Sequence, residues 1–156
     1  FMPNHCYNRV TISAHDGKED QFKEVLKAFE SDSPFETLYP SPDWPNTPND
    51  KGELPELKEF KNDKGEVFTT TYEFPGGIND DRWYHWRVHN WGTKWEAYDQ
   101  SENEVDEECG YAEFSFNTAW APADGIYKAI VEKYPDVGIS WFYDEPGCEL
   151  AGYLPD

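Results

Sequence analysis

Two histidines four residues apart, His85 and His89, are the first residues in this chain whose spacing could do chemistry. On a helix, i and i+4 side chains project from one face, and two imidazoles placed so can grip a divalent metal. Cys6, Cys109 and Cys148 are the natural candidates to complete such a site. Yet no HExxH occurs, and the blander reading is that both histidines pack beside tryptophan or face solvent. No nucleophile stands in a recognised setting: G-x-S-x-G, a phosphate loop and a dinucleotide fingerprint are all missing. With 32 acidic residues in 156, carboxylate pairs arise by chance. Glu149 is the acid singled out for burial, with Arg9 or Lys94 as its expected ion-pair partner. These residues predict no catalytic group, no metal and no cofactor; the chain reads as a non-enzyme.

Binding chemistry is better represented. Aromatics make up 17% of the residues, and several stand near Arg9, Arg82, Arg87 and Lys94. Bases stack on such platforms, but single-stranded nucleic acid also needs a positive groove. Thirteen basic residues against 32 acidic ones, a net charge of −19, argue against direct nucleic-acid binding and against an anionic membrane. A field of that sign attracts basic partners. The densest run lies in Asp99, Glu102, Glu104, Asp106, Glu107 and Glu108, followed by Glu113, with no basic residue among them. Asp43, Asp50, Glu53, Glu56, Glu59, Asp63, Asp80 and Asp81 extend the supply. The competing reading is a hydrated acidic surface kept for solubility.

The elements that must position these groups are legible in the periodicity. Residues 83–95 hold four tryptophans, with Trp83, Trp86 and His89 on one helical face. Asn90 can end the helix and Gly92 can take a positive φ, so the stretch predicts helix, tight turn and strand, clamped to the core by tryptophans. Earlier, Cys6–Ala14 alternates as a strand, with Tyr7, Arg9, Thr11 and Ser13 on one face and Asn8, Val10 and Ile12 on the other. Asp16 is the expected cap of a helix whose Phe22, Val25, Leu26 and Phe29 share a face. Residues 35–42 read as extended, 54–60 as a short helix, and 67–74 as a strand. Strands are expected at 93–99, 111–118 and 137–143, and a second helix carries Ile126, Tyr127, Ile130, Val131 and Tyr134. The acidic run then becomes a hairpin loop between two central strands. The repeated β-α-β order fits an α+β, ferredoxin-like sandwich: an antiparallel sheet with two main helices on one face. A single domain over residues 2–156 is expected, with a long insertion after the first helix at about residues 31–90. An odd cysteine count without CxxC predicts a reducing, cytoplasmic compartment, and no apolar run reaches the length of a membrane span.

Four motifs resemble one known family. They are Met2-Pro3-Asn4-His5-Cys6-Tyr7-Asn8-Arg9, then Asn90-Trp91-Gly92-Thr93-Lys94-Trp95, then Phe116-Asn117-Thr118-Ala119-Trp120-Ala121-Pro122, and finally Gly147-Cys148-Glu149-Leu150-Ala151-Gly152. They resemble the YubB-type, Api-like proteins of phages and plasmids. The resemblance implies a ferredoxin-like domain, a mobile-element origin and a bacterial host. It assigns no activity. Trp83, Trp86, Asn90, Trp91, Gly92, Lys94, Trp95 and Trp120 are expected to serve structure.

Fold, family and charge together predict an accessory protein that works by protein–protein contact. It would be an acidic mimic of nucleic acid, an inhibitor that occludes a basic host protein such as a DNA- or RNA-binding defence complex. The alternatives are a metal-dependent enzyme using His85 and His89, and an assembly factor that takes a peptide in an aromatic groove.

Overall fold

A computed structural model describes residues 4–156; Met2 and Pro3 of the amino-terminal motif lie outside the described residues. In chain order the elements are β1 (His5–Ala14), α1 (Glu19–Glu30), α2 (Pro34–Leu38), a 3-10 turn at Trp44–Asn46, β2 (Glu56–Lys61), β3 (Val67–Phe74), β4 (Ile78–Asn79), α3 (Arg82–Asn90), β5 (Tyr98–Asp106), β6 (Tyr111–Ala119), α4 (Asp124–Lys133), β7 (Val137–Glu145) and β8 (Leu150–Tyr153). They form two compact units, one of residues up to Pro40 with Arg87–Asp156, the other of Ser41–Trp86.

The first unit is built on an antiparallel sheet in the order β5-β6-β1-β7-β8. Without β8, this is the strand order of a split β-α-β fold, so the unit is a ferredoxin-like α+β sandwich. Alternation in β1 turns Cys6, Asn8, Val10 and Ile12 inward, and β6 does the same with Ala112, Phe114, Phe116 and Thr118. On α1, Phe22, Val25, Leu26 and Phe29 are all buried. The Phe29 ring lies 5.5 Å from Phe114 and 6.3 Å from Trp141. From α4, Tyr127 meets the same Trp141 ring at 6.3 Å, so both helices cover one face. That core also holds a polar tie. Trp141 Nε1 donates to Asn8 Oδ1 at 2.8 Å, and Asn8 Nδ2 donates to Thr118 Oγ1 at 2.9 Å. Three strands are thereby pinned in register, with buried polar atoms satisfied.

The tryptophan segment is a joint. Gly92 takes φ +90°, as the sharp exit from α3 requires. Trp91 is fully buried and its Nε1 donates to the Tyr39 carbonyl at 2.9 Å. The Thr93 hydroxyl donates to the Ala119 carbonyl at 2.8 Å, and the Gly125 amide to the Trp91 carbonyl at 3.0 Å. A Cβ on Gly125 would run into the Asn90 carbonyl. Trp91 is the buried tryptophan of this joint; Trp83, Trp95 and Trp120 are exposed and Trp86 is half-buried.

Several local expectations change. Residues 34–38 are helical, not extended, because Glu96 caps them from a distance: its two carboxylate oxygens accept the Phe35 and Glu36 amides at 2.6 and 3.0 Å. The expected helix at 54–60 is β2, since pairing with β3 overrides local propensity. Lys18, not Asp16, precedes α1, with no side-chain cap. Residues 93–97 are not a strand. β5 begins at Tyr98 and runs through the acidic segment to Asp106, leaving only a short turn before β6. It is also an outer strand, while β1 is central.

In the second unit, β2, β3 and β4 form a three-stranded antiparallel sheet. Arg82 is its anchor. The guanidinium lies over the Trp44 and Phe74 rings at 4.9 and 5.0 Å, bonds Asp80 at 2.8 Å, and donates to the Trp44 and Pro48 carbonyls.

Candidate interaction surface

The acidic segment is a strand because β6 imposes pairing on it. Tyr98, Ser101, Glu104 and Asp106 stand opposite Asn117, Ser115, Glu113 and Tyr111. These β6 residues point away from the helices, so Glu104, Asp106 and Glu113 share the helix-free face. Asp99, at φ +52°, joins them there through the Asn117 amide at 3.2 Å. Glu102 stands opposite the buried Phe114, on the helix side. Glu107 and Glu108 are exposed in the turn. The seven carboxylates thus wrap the outer strand rather than lining one face.

Charge on the two sides behaves differently. On the helix side, Glu102, Glu30 and Asp32 border an open cavity of about 350 Å³ floored by Phe29, Phe114 and Phe116. Burial, and then the facing Glu102 carboxylate, push Glu30 above its ordinary range. In the turn, Asp106 accepts the Cys109 amide at 3.1 Å, which holds its carboxyl below the usual range. On the helix-free face, Asn103 Nδ2 donates to Glu113 at 3.2 Å.

His85 and His89 both lie on α3, as their spacing predicts, and both are exposed; His85 reaches Asp81 at 3.7 Å, and His89 borders a cavity with Asp124 and Lys128. Among the described residues, no three His, Cys, Asp or Glu side chains are arranged to hold a metal ion. All three thiols are pushed up: Cys6 to about 11 by burial, Cys109 by a hydrogen bond to Asp106, and Cys148 by one to Glu145. A raised thiol is neither a ready nucleophile nor a ready ligand. Glu149 is exposed, at φ +54°. The buried acid is Glu145, which sequence reasoning passed over. One of its oxygens accepts the Cys148 amide; the other has no partner among the described residues. Its position just before Pro146-Gly147, where a strand must turn back over its own end, was the available signal.

An antiparallel sheet with two helices on one face and an acidic outer strand defines a ferredoxin-like α+β protein. Residues 94–154 match the family model of the ferredoxin-like domain in Api92-like protein. The match covers β5 through β8 with α4. No curated protein and no solved structure matches the chain. Among the described residues no helix is long and apolar enough to cross a membrane.

Proposed function

We propose that this protein is a non-enzymatic accessory factor that binds a basic protein surface and keeps nucleic acid from it. The observation that carries the reading is β5. Over the eight residues from Asp99 to Asp106 it presents four carboxylates and no base, on an exposed strand held by a rigid sheet. A strand rises about 3.4 Å per residue, so the mean spacing is about 6.8 Å per charge. One strand of DNA carries a phosphate about every 3.4 Å. The match is therefore to the field of nucleic acid at about half its linear density, not to its phosphate geometry.

The proposed partner is a host DNA- or RNA-binding protein, such as a defence complex, in the bacterial cytoplasm. The phage and plasmid resemblance supports that setting. Electrostatically steered complexes weaken as salt rises. The test is affinity capture from bacterial lysate at low and high salt, followed by a gel-shift assay of the captured protein on its own nucleic acid. A salt-sensitive partner that releases its nucleic acid when the chain is added is the expected result. Recovery of no nucleic-acid-binding protein, or of one that retains its nucleic acid at saturating chain, overturns it.

A further inference from the structure

The helices cover only one face of the main sheet, and the other face is not polar throughout. Tyr7 on β1 and Tyr153 on β8 are 40% and 53% exposed, and both flank the half-buried Phe142 of β7. Tyr153 packs edge-on against Phe142 with centroids 5.4 Å apart. Register places Arg9 opposite Phe142 and Tyr7 opposite Asp144. The Arg9 guanidinium sits 5.1 Å from the Phe142 ring centroid. This face therefore already receives one arginine on one of its rings.

We propose that the helix-free face docks a Lys/Arg-rich segment of the partner, with Tyr7 and Tyr153 taking cationic side chains as Phe142 takes Arg9. The proposal rests on the functional reading above and locates its contact. Charge complementarity selects the occupant. Glu104, Asp106, Glu113 and Asp144 share this face by register, Asp99 joins them through the Asn117 amide, and among the described residues Arg9 is the one Lys or Arg that register places there. A single-stranded nucleic acid could stack on the same rings, but its phosphates would meet five carboxylates and one guanidinium. A cationic peptide gains from both the rings and the carboxylates. Small side chains between them, Thr11, Ser115 and Ser140, leave room for an extended segment to lie across the strands.

The probe is a fluorescein-labelled arginine-rich peptide of about ten residues, with an oligothymidylate of equal length as comparator, titrated by anisotropy at low salt. Tyr7→Leu with Tyr153→Leu keeps apolar bulk and removes the ring faces. It is expected to weaken the peptide about tenfold, the sum of two exposed cation–π contacts. Glu107→Gln with Glu108→Gln, in the turn, is expected to change it less than threefold. Amide shift mapping on the labelled wild-type chain is expected to place the peptide on β1, β7 and β8. Binding that maps to the helix side, or that ignores the tyrosine changes, overturns this location and leaves the broader reading standing. No peptide binding at all overturns both. Tighter binding of the oligonucleotide to the same face overturns the class of partner.

Discussion

Glu96 does a structural job with a charged group that is half-buried. It ends two orphan amides at the start of α2, and replacing such a cap costs about 1–2 kcal/mol. Burial raises its carboxyl above the ordinary 4.5 in the folded state, although the amides pull the other way. A group raised on folding contributes stability below its unfolded pKa and loses it as pH rises through the folded one. Glu96→Gln is therefore expected to destabilise the chain, and the wild type's advantage in urea denaturation should be larger at pH 4 than at pH 7. Glu30 is raised as well, by burial and by Glu102, but it is mostly exposed and its effect is screened. Glu30→Gln removes a like charge, so its melting temperature should exceed that of the wild type at pH 7, with the difference vanishing near pH 4. In the core, Trp141→Phe keeps the ring but orphans Asn8 Oδ1. Chemical denaturation should register about 1–3 kcal/mol, the cost of a buried unpaired acceptor.

Elements were legible where local pattern and long-range pairing agree. β1 alternates cleanly because one face meets α1 and α4 and the other meets solvent. α1 repeats every 3–4 residues for the same reason. β5 gave no such signal, because neither of its faces enters the core deeply; its conformation comes from a ladder with β6, and acids have little preference for strands. α2 was invisible for a related reason, its cap lying some sixty residues away. Among the motifs, Asn90-Trp91-Gly92-Thr93 was readable as a turn but not as a seat for α4. That seat depends on Gly125, where a side chain has no room beside the Asn90 carbonyl. Gly125→Ala is expected to cost about 1–3 kcal/mol through forced displacement of that joint. The candidate surface was half legible: six of the seven carboxylates are exposed as composition predicts and Glu113 is half-buried, but the pleat decides which face each one serves. No spacing rule pairs Tyr7 with Tyr153, which only the sheet order brings near the same ring.

At the scale of the whole molecule, a net charge of −19 pushes against the compact state. Salt should act with opposite signs on folding and on function. Raising sodium chloride from about 20 to 300 mM shortens the screening length about fourfold. The melting temperature should rise over that range while affinity for a cationic partner falls. An even surface of acids would give the first effect alone, so measuring both in one series separates a solubilising coat from a working surface.

The outermost strand of the sheet has a further consequence. Its free rim is a row of backbone amides and carbonyls that an identical chain could zip against, layer upon layer. Glu102, Glu104 and Asp106 make that encounter mutually repulsive at neutral pH. The same side chains that invite a cation thus forbid self-polymerisation, and a suspension brought near the isoelectric point of 4.4 should scatter light as that guard is neutralised.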